Sequence, residues 1–194
     1  MPDLKPFCSF LPREIPVLFL AALALLWIAG LSQAQEPFPP ARGAVNDFAG
    51  VIASADAARM EGLCREVLEK TGASVVVATF PSLDGKELND TVNRLYSFWG
   101  IGKKGEDRGV LIFLALKERK IRIETGYGVE GILPDGKVGE ILDRQVVPDL
   151  KRGEYSRGLL EAVAAVSGVI AADAGVALTG SLPRQTDGPP ARQR

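Results

Sequence analysis

The sequence predicts an α/β fold in which a small mixed sheet carries helices on both faces. Three observations point there. Residues 73–79 and 109–116 are short, nearly continuous apolar runs rich in β-branched side chains, as expected of strands covered on both sides. Segments with apolar residues three and four apart alternate with them. The run 109–116 leads through a tight polar turn, residues 117–120, into an alternating Ile121-Arg122-Ile123-Glu124-Thr125, which reads as a hairpin.

Taken in order, Ser54 is placed to cap a helix running to Thr71, where Met60, Leu63, Cys64, Val67 and Leu68 form the inner stripe and Gly72 stops it. The strand at 73–79 follows. A second helix spans about residues 84–99 and buries Leu88, Val92, Leu95, Tyr96 and Trp99. Gly100, Gly102 and Gly105 then open a loop before the hairpin. In the last strand, Ile121 and Ile123 take one face and Arg122 and Glu124 the other, which suits a sheet margin or cleft wall. Val138, Ile141, Leu142 and Val146 mark a third helix, closed by Pro148. Tyr155, Leu159, Val163, Val166 and Ile170 mark a long fourth one. Three or four strands are expected.

Length and composition set the organisation. A chain of 194 residues, 46% hydrophobic and 24% charged, fits one domain with appendages. Residues 17–31 are an unbroken apolar run, too short for a comfortable membrane span, and Ser32-Gln33-Ala34 supplies small residues for cleavage before Gln35. Residues 1–34 therefore read as a signal peptide, with an uncleaved anchor as the alternative; either way the domain is periplasmic or extracellular. Residues 35–44 read as a proline-rich linker, residues 45–178 as the domain and residues 179–194 as a disordered tail.

Charge and chemistry exclude several functions. A net charge of −1 offers no field for nucleic acid, and zero histidines exclude Ser-His-Asp, Cys-His and His-zinc chemistry. Cys64 lies on the helix stripe and reads as core, while Cys8 precedes the apolar run, so no disulfide framework is implied. Gly126-Tyr127-Gly128-Val129-Glu130-Gly131 matches the dinucleotide fingerprint by letter, but Pro134 follows too soon and no acid sits at the end of a next strand. The expectation is no nucleotide, and a tight turn whose glycines supply positive φ.

Asp47, Asp107, Glu124 and Asp135 fall at loop starts or strand ends beside glycines. Any metal among them would be oxygen-bound, hence Ca²⁺, Mg²⁺ or Mn²⁺; the competing reading is turn caps and solvated side chains. Lys103, Lys104 and Arg108 crowd one loop and, with Arg122, offer an anion-binding cluster or simply a solvated surface.

Four stretches, Val45-Asn46-Asp47-Phe48-Ala49-Gly50-Val51, Trp99-Gly100-Ile101-Gly102, Lys104-Gly105-Glu106-Asp107-Arg108-Gly109-Val110 and residues 122–131, together resemble the TPM domain family, in that family's order. Leu133-Pro134-Asp135 and Gly153-Glu154-Tyr155 continue the likeness, which covers residues 44–175. The resemblance implies an exported α/β/α sandwich of the kind found in bacterial envelope proteins and a thylakoid lumen protein of photosystem II repair. It also implies two functions: an accessory module for envelope or membrane proteins, or a metal-assisted acid phosphatase. Asp47 and Asp107 are the metal-ligand positions it implies first, Glu124 and Asp135 next, with Arg108 or Arg122 on an anion. Where the family commonly has Asp-Asn-Gly, this chain has Asp107-Arg108-Gly109, and a guanidinium there competes with a cation for the carboxylate.

Overall fold

A computed structural model describes residues 38–102 and 106–179. Four strands form one mixed sheet in the order β1 (Val45–Asp47), β2 (Ser74–Phe80), β3 (Gly109–Ala115) and β4 (Lys120–Thr125). The first three are parallel, and β4 returns antiparallel to β3 through the expected hairpin.

Alternation along the strands divides the core in two. Val75 and Val77 of β2, Val110, Ile112 and Leu114 of β3 and Ile123 of β4 face one layer of helices. That layer holds α1 (Ser54–Thr71), α4 (Asp135–Ile141), α5 (Val147–Lys151) and α6 (Tyr155–Asp173), introduced by the one-turn α3 (Tyr127–Glu130). Val76, Ala78, Leu111, Phe113 and Ala115 face the other side, where α2 (Leu88–Trp99) supplies Val92, Leu95 and Tyr96. Helices on both faces of a four-stranded mixed sheet are the three layers expected from the strand and helix patterns.

Several boundaries differ from the sequence expectation, each for a physical reason. The strand β1 went unrecognised because three residues are too few to show a period. Ser54 does not cap α1: Ala53 occupies that position, and its N–H is taken by Ser156 Oγ of α6 at 2.9 Å. Leu68, assigned to the buried stripe, is half exposed. Helix α2 starts at Leu88 rather than near residue 84, because Asp84 and Gly85 adopt left-handed φ of 49° and 80°; the Glu87 carboxylate then caps it by accepting from the Asp90 N–H at 2.9 Å. Pro148 does not close the third helix. A π-helical turn at Leu142–Val146 precedes it, so the proline falls in the first turn of α5, where its missing N–H costs no helical bond.

The segment read as a linker is also part of the domain from Phe38 onward. That ring is 7% exposed, meets Phe80 edge-on at 6.4 Å and Phe98 at 6.0 Å, and the next carbonyl, Pro39 O, accepts from Trp99 Nε1 at 2.9 Å. Thr179, read as the start of the tail, donates its N–H to Glu66 Oε1 at 2.8 Å. Residues 1–34, read from sequence as a signal peptide, residues 35–37 of the linker reading and residues 180–194 of the tail reading lie outside the described residues.

Asp149, which the sequence reading passed over, is a buried charge that joins α5 to α6. It is 5% exposed and accepts from Arg157 Nε at 2.8 Å and from Arg152 Nη2. The Arg157 hydrogen bond, working against burial and helped by the charges of Arg157 and Arg152, holds its carboxyl below the usual range. Asp149→Ala should lower stability by about 2 kcal/mol in a denaturant titration. That is less than for a fully enclosed pair, because both arginines are about half exposed and can turn to water.

Candidate functional site

The chemistry-bearing residues gather where β3 begins and β4 ends. Tyr96 of α2 extends its phenol between Gly109 and Gly126 to Asp107, donating its O–H to Oδ1 at 3.1 Å. Asp107 sits at φ 51°, a left-handed conformation that a short polar side chain tolerates. Its Oδ2 accepts the Tyr127 N–H at 3.3 Å, and its backbone carbonyl accepts the Gly128 N–H at 3.2 Å. Glu124 and Arg122 pair in register with Leu111 and Phe113, which turns both toward α2 and thus to Tyr96's side of the sheet. Arg122 donates Nε and Nη2 to Glu124 Oε2 at 2.8 and 2.7 Å and Nη1 to Asn89 Oδ1 at 2.9 Å. Burial first, then the charge and hydrogen bond of Asp107, then the charge of Glu124, raise the Tyr96 phenol well above its ordinary value. At neutral pH it is a proton donor and not a phenolate nucleophile.

The glycines of the Gly-x-Gly-x-x-Gly stretch do not supply positive φ, contrary to the expectation from sequence. Gly126 has φ −76° and Gly131 φ −62°, and Tyr127–Glu130 is a helical turn. What Gly126 and Gly128 permit is close approach. A Cβ on Gly126 would collide with Asp107 O and the Tyr96 hydroxyl, and one on Gly128 would collide with Glu106 O.

Asp47 lies elsewhere. It pairs in register with Thr79 near the exit of β2, whereas Gly109 pairs with Ser74 at its entrance. Five positions along the strand separate the two levels, roughly 16 Å at a rise of about 3.3 Å per residue. Asp47 is also fully engaged. Oδ1 accepts from Gly50 N–H at 2.9 Å, Val51 N–H at 3.2 Å and the Thr79 hydroxyl, and Oδ2 accepts from Ile52 N–H at 2.9 Å. Burial pushes its carboxyl up, but the bonds from Thr79 and the three amides outweigh that and hold it below the usual range. The neighbouring Asn46 is structural too: Oδ1 accepts from Arg42 N–H at 2.7 Å, and Nδ2 donates to Gly43 O at 3.0 Å and Val77 O at 3.3 Å. A cation shared by Asp47 and Asp107 is therefore not formed by this fold.

Asp135 is exposed at the start of α4 and makes no hydrogen bond or ion pair with the other three acids. Among the described residues, no three Asp, Glu or Cys side chains converge as a cation site. The structure brings together Asp107 and Glu124 around Tyr96, with Arg122 on Glu124. Such a pair would hold a hard cation only with carbonyls and water completing its shell. Arg108 lies against Gly128, its Nη1 4.0 Å from Glu106 Oε2 and its Nε buried without a hydrogen-bond partner among the described residues. Lys103 and Lys104 lie outside the described residues. Tyr96 was the residue that sequence reading missed; its signal was a polar tip on an otherwise apolar stripe opposite paired glycines.

Two shallow clefts of about 250 and 290 Å³ flank the entrance of β2, and none of the four acids lines either. Cys64 borders the second. Burial, aided by the charge of Glu61, pushes its thiol up to about 12, so it is an inert core group.

Comparison with known proteins matches this architecture. Residues 45–169 fit the profile of the TPM domain. The N-terminal domain of a P. gingivalis protein, solved by NMR, shares 35% identity over 68% of this chain and 84% of its own, with a TM-score of 0.64. The N-terminal domain of a Corynebacterium glutamicum protein (16% identity, TM-score 0.54, 78% of this chain and 95% of its own) shares the fold. So does a protein from the psychrophilic bacterium Bizionia argentinensis (14% identity, TM-score 0.54, 68% and 93%). Comparison with curated proteins finds no match.

Proposed function

The chain belongs to the TPM domain family, and from that premise we propose that it is an exported, non-catalytic envelope module assisting the assembly or turnover of membrane proteins. One observation carries the non-catalytic reading: the acids that a metal-assisted hydrolase would need are divided between the two ends of the sheet, and Asp47 already has four donors. Export rests on the apolar run at residues 17–31 with its small-residue cleavage site. The partners that follow are proteins of the envelope or membrane.

A second reading, a metal-assisted acid phosphatase, is favoured by Asp107 on the Tyr96 hydroxyl, by Glu124 near enough for its charge to act on that phenol, and by the Arg122 guanidinium on Glu124. A divalent cation, Ca²⁺ or Mg²⁺ before Mn²⁺, would polarise a phosphoryl oxygen there. Within that reading Asp107 and Glu124 hold the cation, Arg122 orients the anion, and Tyr96 keeps its proton on the Asp107 side.

Thermal melts of the full chain with millimolar Ca²⁺, Mg²⁺ or Mn²⁺, repeated on Asp107→Ala, separate the two when combined with hydrolysis of p-nitrophenyl phosphate. A cation at 100 times its dissociation constant adds about 2.7 kcal/mol. The module reading expects no cation-dependent hydrolysis. Turnover that needs the cation and disappears in Asp107→Ala replaces it with the phosphatase reading.

A further inference from the structure

The sheet has two edges, and they are treated differently. At β1 the outward N–H of Val45 is taken by Glu61 Oε1 at 2.8 Å, with Ala44 N–H on Oε2 at 3.3 Å, and Asp47 folds the following loop back on itself. That edge is closed by side chains, as edges usually are. Among the described residues no strand lies outside β4, and β3 and α2 are the elements packed closely against it.

The phase of the hairpin fixes which groups face out. Gly126 N–H bonds Gly109 O, and alternate residues of an antiparallel ladder share that role, so Glu124, Arg122 and Lys120 bond inward to β3. The N–H and C=O groups of Ile121, Ile123 and Thr125 consequently point to the free edge. No proline or bulge interrupts it.

We propose that this edge pairs antiparallel with β4 of a second copy of the chain, making one continuous eight-stranded sheet. Charge selects the partner and the register. Centring the pair on Ile123 opposite Ile123 of the second copy places two outward-bonding residues face to face, as the backbone requires. The same register sets Arg122 opposite Glu124 of the second copy and Glu124 opposite its Arg122, in the closely spaced positions between backbone bonds. Sliding by one pairing step either way puts Arg122 opposite Arg122, or Glu124 opposite Glu124. The alternating charges that block promiscuous pairing are thus self-complementary in one two-fold arrangement. Arg122 and Glu124, already 2.7 Å apart within each copy, extend into a four-membered network. The α2 layers of both copies lie on the same face.

Sedimentation equilibrium of the full chain, in density-matched non-ionic detergent because of its apolar N-terminal run, tests this. The expected result is a concentration-dependent monomer–dimer equilibrium. Arg122→Glu or Glu124→Arg alone should raise the dissociation constant about tenfold or more, since the two-fold axis doubles each like-charge contact, and the double swap should restore it. Amide exchange on the wild-type chain gives a readout independent of how the variants fold: the Ile121, Ile123 and Thr125 amides should slow as concentration rises. A monomer at every concentration, association indifferent to the single swaps, or fast exchange of those three amides in the associated state overturns the proposal.

Discussion

Asp47→Ala should destabilise the domain by about 3–4 kcal/mol, equally with and without divalent cations, in a chemical denaturation series. The carboxylate accepts three backbone N–H groups and the Thr79 hydroxyl, and Thr79 is wholly buried. Bonds to a charged acceptor contribute about 1.5–3 kcal/mol each, and they share one residue, so the total is well below their sum. Gly50 is exposed and finds water, which lowers the figure further. A metal ligand would behave differently: its loss would abolish a cation-induced rise in midpoint while leaving the cation-free protein close to wild type. Dependence on pH gives a second check. The Asp47 carboxyl lies below its ordinary value in the fold, so its contribution is complete above the unfolded pKa of about 3.9 and drains away as pH falls through the folded value. Asp47→Asn should therefore flatten the loss of stability below about pH 4 while lowering stability at neutral pH.

Which parts of this arrangement were legible follows from how far each residue's partner lies along the chain. β2, β3 and the hairpin announced themselves because burial on both faces, or alternation on one, is written locally in residues 73–79, 109–116 and 121–125. Helix ends at Gly72 and Gly100 were equally local, since a left-handed residue ends the helix where it stands. Asp47 was misplaced because its decisive partner, Thr79, is thirty-two residues away and belongs to a strand that β1 meets only in the folded sheet. Had β1 been read as parallel to β3, the separation would have been visible on paper: Asp47 ends β1 and Asp107 precedes β3, and parallel strands put an exit and an entrance at opposite ends. Asp149 was passed over for a similar reason. Its charge is acceptable in the interior because Arg157 returns to it from the next helix. Pro148 was legible as a helix breaker but not as a residue sheltered by a π turn, which leaves no signature in hydrophobic period.

Gly128→Ala should cost about 3 kcal/mol or more and loosen the loop holding Asp107, although helix propensity alone predicts the opposite sign. Gly128 lies within α3, where alanine ordinarily gains about 0.5–1 kcal/mol over glycine. The new methyl group, however, would overlap the Glu106 carbonyl and come within 2.8 Å of Arg108 Cγ and 3.1 Å of Arg108 N. A flexible side chain can step aside; a carbonyl held one residue from Asp107 cannot move without breaking the Gly128 N–H bond to Asp107 O and the Tyr127 N–H bond to its carboxylate. Overpacking of this kind costs about 1–3 kcal/mol before any lost hydrogen bonds are counted. Gly136→Ala is the matched control, a helical glycine in α4 whose Cβ would meet nothing within 4 Å, and it should stabilise by about 0.5–1 kcal/mol. Thermal melts of the pair, read alongside Tyr96 fluorescence or its ring NMR signals, decide the matter. Equal stabilisation by both substitutions would mean that the glycines serve flexibility and not close approach. Opposite signs would establish that the glycine stretch exists to bring one backbone against another, and thereby to hold Asp107 on the Tyr96 hydroxyl.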